Sequence, residues 1–205
     1  VYTQPAPPPV YVQPMAPRLY APRPTLPQWQ TRIGLGGRFA GTINRDDSLQ
    51  SVQFGQLGFG GEMLFRVQRH IVLELASEYQ RSLYGAGEFH RYDVPVTFGA
   101  RFHLGGPEWV VSPYLVAAAG LNYANLDYVH AHDVAWFGIG QLGGGLELRL
   151  GKHFAINGDV RAEGRRRLSD PDEATAATTS INGKPFAPMG NQYGGQFRLG
   201  AAVYF

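Results

Sequence analysis

The sequence predicts an all-β chain: an eight-stranded antiparallel up-and-down transmembrane β-barrel, preceded by an extended proline-rich tail. Three observations predict it. From Trp29 onward, apolar and polar residues alternate with a period of two over eight segments. The connections between these segments alternate between short and long. Aromatic residues gather near both ends of the apolar faces. A period of two is the mark of a strand whose two faces meet different surroundings.

Composition narrows the alternatives. The chain has 205 residues, 44% hydrophobic, 17% charged and 13% aromatic, and no Cys. A disulfide scaffold, a thiolate metal cluster and a Cys nucleophile are therefore excluded. A net charge of +2 is too small for a nucleic-acid binder. No run of about 18 apolar residues exists, which excludes a transmembrane helix but not a membrane barrel. Val1 opens without a signal-peptide pattern, so the chain reads as already processed.

The chain divides near residue 28. Nine of the fifteen prolines lie in residues 1–28, a stretch with no Asp or Glu. Proline fixes φ and removes donors, so this tail favours extended polyproline II. A weak repeat, VYTQPAPPP, VYVQPMAPR, LYAPRPTLP, spaces Tyr2, Tyr11 and Tyr20 by nine, with Trp29 on the next step. At three residues per turn this puts the aromatics on one face, roughly 28 Å apart. Such a stripe suits a partner protein; a degenerate spacer would give the same repeat.

Residues 29–205 form the barrel. The first strand alternates Trp29, Thr31, Ile33, Leu35, Gly37, Phe39 against Gln30, Arg32, Gly34, Gly36, Arg38. The second sets Leu57, Phe59, Met63, Phe65 and Val67 against Glu62 and Arg66. The third sets Ile71, Leu73, Leu75 and Tyr79 against Glu74 and Glu78. The fourth sets Tyr92, Val94, Val96, Phe98 and Phe102 against Arg91, Asp93, Arg101 and His103. The fifth sets Trp109, Val111, Leu115, Leu121 and Tyr123 against Ser112, Tyr114 and Asn122. The sixth ends on Leu146, Leu148, Leu150 against Glu147 and Arg149. The seventh sets Phe154, Ile156 and Val160 against Asn157, Asp159, Arg161 and Glu163. The eighth sets Tyr193, Phe197, Leu199, Val203 and Phe205 against Gln196, Arg198 and Tyr204.

Short turns fall near 68–70, 105–108 and 151–153. Longer loops fall near 44–51, 83–88, 124–134 and 165–190. A soluble, lipocalin-like barrel would turn its apolar face inward. The glycine-rich charged face suits a crowded interior instead, and the aromatic bands match two bilayer interfaces.

The ending FRLGAAVYF and the segment DVPVTFGARFHL carry a resemblance. The chain resembles the eight-stranded outer-membrane barrels of the OmpA transmembrane-domain type over about residues 29–205. The resemblance implies a bacterial outer-membrane location, both termini and the short turns in the periplasm, and long loops outside. It implies contact with outer-membrane lipid and lipopolysaccharide. It also implies that Phe197, Leu199, Val203 and Phe205 act as the signal read by the barrel assembly machinery. The chain departs from full OmpA architecture, whose extension is a C-terminal peptidoglycan-binding domain.

Candidate chemical sites are few. His130, His132 and Asp133 give a short His pair with one acid, without a third and fourth ligand of clear spacing. Ser82, Glu88 and His90 lie near one loop, a weak pattern for a lipid-modifying enzyme. Arg165, Arg166 and Arg167 begin the fourth loop and suit lipopolysaccharide phosphate. No cofactor motif is present. The polar faces place Arg32, Arg38, Glu62, Arg66, Glu74, Glu78, Asp93, Arg101, Glu147, Arg149, Asp159, Arg161, Glu163 and Arg198 in the lumen. An eight-stranded barrel is just wide enough for side chains to fill, so these charges must pair or be wet. The expected function is a structural or scaffolding barrel with a partner-binding periplasmic tail and a mostly closed lumen. A narrow channel is the alternative, and an enzyme comes third.

Overall fold

The computed structural model describes residues 33–46, 53–82, 89–128, 131–169, 180–181, 184–185 and 189–205. The tail 1–28, Trp29 and Arg32 lie outside the described residues.

Alternation becomes strand throughout. The elements are β1 (Ile33–Asp46), β2 (Gln53–Arg66), β3 (Ile71–Ser82), β4 (Phe89–His103), β5 (Val111–Tyr128), β6 (Ala131–Leu150), β7 (Phe154–Arg167), β8 (Ser180–Ile181), β9 (Lys184–Pro185) and β10 (Gln192–Tyr204). β8 and β9 pair only with each other. The other eight form a closed antiparallel barrel in which β10 returns to pair with β1. Closure leaves no edge strand, which is what a bilayer demands of backbone donors and acceptors.

The registers fix the shape. Following paired residues from Arg66, the ladder passes Val72, Arg101, Val116, Gly143, Arg161, Gln196 and Thr42, then meets β2 again at Gln56. The return falls ten residues along the strand from its start. This stagger forces the strands to lean, typically by about 40°. From Phe102 to Tyr92 is ten residues, so the leaning strand rises about 25 Å, the height of a membrane barrel's apolar band.

One ladder has a gap. β3 and β4 pair from Ile71↔Phe102 to Ser77↔Val96 and resume at Gln80↔Asp93. Pro95 falls in the gap, and it has no N–H to give.

The apolar face points outward. Phe59 is 69% exposed and Leu142 68%, while Glu74, Asp93 and Glu147 have no exposure. At the loop end the outer face carries a chain of touching rings: Phe59–Tyr79, Tyr79–Tyr92, Tyr92–Tyr123 and Tyr123–Trp136, with centroids 5.4–6.4 Å apart. Aromatic girdles of this kind sit at membrane–water interfaces. Within the interior, glycine makes room. A Cβ on Gly143 would lie 2.8 Å from Arg161 Cα, and it would press on the Val160 carbonyl.

Two expected loops are shorter than the alternation suggests. Residues 124–128 and 131–135 are a paired ribbon, with Ala124↔Ala135 and Leu126↔Asp133 in register. Arg165–Arg167 belong to β7, paired to β6 through Phe137↔Arg167 and to β10 through Gln192↔Arg165.

Candidate functional site

The lumen is a stack of polar tiers. Each charge arrives by the same logic: a residue in the inward phase of its strand has no route to water except along the axis.

The middle tier centres on Glu74. Its carboxylate accepts from Arg38 Nη1 at 2.9 Å, Arg101 Nε at 2.6 Å, Arg161 Nη2 at 3.0 Å and Arg198 Nη1 at 3.1 Å. These arginines come from β1, β4, β7 and β10. Around this hub, Arg101 also meets Glu62 at 2.6 Å, Arg38 meets Glu78 at 2.7 Å, and Arg161 meets Asp159 at 2.7 Å. Four guanidiniums thus face four carboxylates, all buried. Neutral donors and acceptors fill the remainder: Asn157 donates to Glu62, Tyr114 to Asp159, and Gln141 to Glu163. Arg101 also lies over the Tyr114 ring, 5.2 Å from its centroid.

The upper tier pairs Arg91 with Asp93 at 3.0 Å, and Arg165 with both Asp93 and Glu163. Gln56 adds a bond to Asp93 at 2.9 Å. Above this, Ala124, Leu126, Ala135, Phe137 and Met189 form an apolar cluster. Met189 is strapped down: its N–H donates to Asp133, and its carbonyl accepts from Arg167 at 2.8 Å. Arg167 in turn holds Asp133 with two bonds of 3.0 Å.

At the turn end, Glu147 accepts from Arg149 at 2.7 Å and from the Tyr204 hydroxyl at 3.2 Å, and Arg66 stands 3.9 Å away. His103 Nδ1 is 3.1 Å from Ser112 Oγ, and His103 Nε2 is 3.9 Å from Glu147. A serine, a histidine and a carboxylate are thereby adjacent. All three have no exposure, so no substrate reaches the hydroxyl.

The structure thus places Arg38, Glu62, Arg66, Glu74, Glu78, Asp93, Arg101, Glu147, Arg149, Asp159, Arg161, Glu163 and Arg198 inside the barrel. The sequence reading missed Arg165 as a lumen residue, and it missed the polar partners Gln56, Gln80 and Gln141. All sit in the inward phase, so alternation alone could have found them.

The triplet Arg165–Arg167 is a correction. A loop would present all three arginines to lipid. A strand sends alternate side chains to opposite faces, so Arg165 is buried on Asp93 and Glu163 while Arg166 points out. Arg167 serves Asp133. Of the enzyme candidates, Ser82 ends β3, His90 lies near the start of β4, and Glu88 falls outside the described residues. His130 also falls outside them. Asp133 is committed to Arg167 and Met189. Phe197, Leu199, Val203 and Phe205 all face outward, 42–68% exposed.

No protein-family model matches the sequence, and no curated protein matches it significantly. Solved structures do resemble it. Neisserial surface protein A superposes with a TM-score of 0.59 at 13% identity, covering 84% of this chain and 97% of that one. Ail, the attachment invasion locus protein of Yersinia pestis, gives 0.54 at 16% identity, covering 85% and 99%. The same protein in complex with the heparin analogue sucrose octasulfate gives 0.53 at 16% identity, covering 85% and 99%. The described residues therefore have the fold of the eight-stranded outer-membrane β-barrels.

Proposed function

We propose that the chain is a structural, non-enzymatic barrel of a bacterial outer membrane, with its lumen closed and its proline-rich tail engaging an envelope partner. The observation that carries the closed lumen is the middle tier, where four arginines and four acids interlock across the bore. Moving an ion through it requires breaking pairs that each cost about 3–5 kcal/mol when one partner is lost. In this reading both termini and the short turns face the periplasm and the long loops face outward. Phe197, Leu199, Val203 and Phe205 engage the barrel assembly machinery. The tail, about 28 residues at about 3.1 Å each, reaches up to about 85 Å when extended. Its stripe of Tyr2, Tyr11, Tyr20 and Trp29 offers aromatic contacts at regular intervals.

Crosslinking through Tyr11 or Tyr20 in intact envelopes tests the tail. Capture of one discrete envelope protein, lost on deleting residues 1–28, supports the reading; identical capture by both chains removes it. Planar-bilayer recording tests the lumen. Large, steady, ohmic conductance replaces the closed scaffold with a narrow channel. One observation favours that second reading: Asn44, Thr97 and Asn122 bury side-chain polar atoms with no hydrogen-bond partner among the described residues. Such atoms call for water.

A further inference from the structure

The histidines on the described strands and turns divide between the two ends of the barrel. His70, His103 and His153 lie at the turn end, and His90 and His132 at the loop end. At the turn end each imidazole is engaged. His70 Nδ1 and His153 Nδ1 lie 2.9 Å from the carbonyl oxygens of His103 and Tyr204, and His103 Nδ1 lies 3.1 Å from Ser112 Oγ.

At the loop end the strand registers bring two histidines and an acid into one row. His90 on β4 is directly cross-strand from Asp127 on β5, and Asp127 is directly cross-strand from His132 on β6. His90 and Asp127 are exposed, in the outward phase of their strands. On β6, Asp133 is buried and Trp136 is exposed, so position 132 falls in the outward phase as well. Neighbouring strands lie about 4.8 Å apart, so the row spans about 10 Å. The acid next to His132 in sequence, Asp133, is turned into the mouth of the barrel and bound by Arg167. The acid next to it in space is Asp127, on another strand.

The row stands beyond the aromatic girdle. In the outward phase His90 lies two residues past Tyr92, and Asp127 and His132 lie four past Tyr123 and Trp136. That is about 7–13 Å along the strands, on the solvent side of the rings. Beneath the row, Asn125 Nδ2 donates to the Tyr92 hydroxyl at 2.6 Å. Asn125 is 7% exposed, and its Oδ1 has no hydrogen-bond partner among the described residues. A buried amide oxygen calls for a donor. It lies two residues from Asp127 on the same face, where the N–H of a ligating imidazole or a metal-bound water would supply one.

Two imidazoles and one carboxylate make the donor set of a three-ligand zinc site with its fourth position open. The nitrogen donors select against calcium and magnesium, which take oxygen ligands. We propose that His90, Asp127 and His132 form a divalent-metal site of the zinc type on the outer ribbon, its remaining position open to water.

The test is calorimetric titration of the full chain, refolded in detergent micelles, with zinc chloride. Heat-modifiable migration on gels establishes that each variant is folded. The wild type is expected to bind one zinc per barrel. Losing even an outer partner of a metal ligand costs about 10–100-fold in affinity. His90→Ala, Asp127→Asn and His132→Ala are therefore each expected to weaken binding by at least about tenfold. His153→Ala, at the opposite end of the barrel, leaves it unchanged, and magnesium chloride gives no saturable binding. Cobalt(II) in place of zinc gives the visible bands of a tetrahedral site, which the three ligand variants lose. Absence of saturable zinc binding by the wild type overturns the proposal. So does wild-type affinity in Asp127→Asn, which assigns the metal to histidines alone, and so does equal weakening by His153→Ala.

Discussion

Replacing Glu74 with Gln isolates the middle tier of the lumen. The side chain keeps its shape and loses one charge, leaving Arg38, Arg101, Arg161 and Arg198 against Glu62, Glu78 and Asp159. With charges about 4 Å apart and an effective dielectric near 20, each pair carries about 4 kcal/mol of bare attraction. Repulsion among the arginines and the cost of burial cancel much of the sum. The usual penalty for stranding a buried charge is about 3–5 kcal/mol. Glu74 has no exposure and serves four partners, so the loss belongs at the upper end, about 5 kcal/mol. The assay is reversible urea unfolding of the barrel in lipid vesicles, followed by tryptophan fluorescence and gel migration. The double variant E74Q/R161M restores the balance of charge and is expected to recover about half of the loss. Planar-bilayer recordings of the same proteins should show conductance in E74Q that the double variant suppresses. A loss below about 1 kcal/mol in E74Q, with conductance unchanged, refutes the tightly paired lumen and implies that water already screens these charges.

Four further outcomes are expected. Gly143→Ala should destabilise the barrel by about 1–3 kcal/mol, because its new methyl overpacks the interior against Arg161 and the Val160 carbonyl; Gly140→Ala, which meets open space, should change stability by less than about 0.5 kcal/mol in the same urea series. Asp133→Asn removes the charged acceptor for Arg167 and weakens that for the Met189 N–H. It should speed proteolysis after Arg167, by about 1–3 kcal/mol of local opening, while gel migration of the barrel stays unchanged. On the proposal that the tail engages an envelope partner, deleting residues 1–28 should abolish partner capture and leave heat-modifiable migration intact. Glu108, in the turn before β5, is held below the usual carboxylate range by its own backbone amide and by Arg69. The Arg69–Glu108 contact is thus present above the ordinary glutamate range and lost as pH falls through the depressed value, seen as a chemical-shift change at residue 108; an unshifted midpoint contradicts it.

The strands were legible because a bilayer imposes one rule on every outward side chain. Where the bilayer ends, the rule reverses, and the reading went astray. In the β5–β6 ribbon the inward residues Ala124, Leu126, Ala135 and Phe137 are apolar, beside the Arg167-bound Asp133, and outward Asp127 is exposed. Apolar-inside alternation above the girdle does not look like apolar-outside alternation below it, so residues 124–134 read as loop. Arg165–Arg167 were misread for the same reason: three consecutive charges look like solvent, although period two sends the first into the lumen. Pairing was beyond reach for another reason. Glu74 draws its partners from β1, β4, β7 and β10, and which residues meet across the bore depends on the ten-residue stagger. Nothing local in the sequence encodes that number; it is a property of the closed sheet as a whole.

The break beside Pro95 has a consequence for how the cylinder breathes. Amide protons in a closed ladder exchange with solvent deuterium only when the ladder opens. Around most of this wall each strand is bonded to both neighbours, so opening one rung strains two seams. Between β3 and β4 the rungs at Glu78 and Tyr79 are already missing, so the pairs that flank the break, Ser77↔Val96 and Gln80↔Asp93, each lack a neighbouring rung on one side. Deuterium uptake should therefore begin at this seam and spread along it. During folding, the same seam should be among the last to zip.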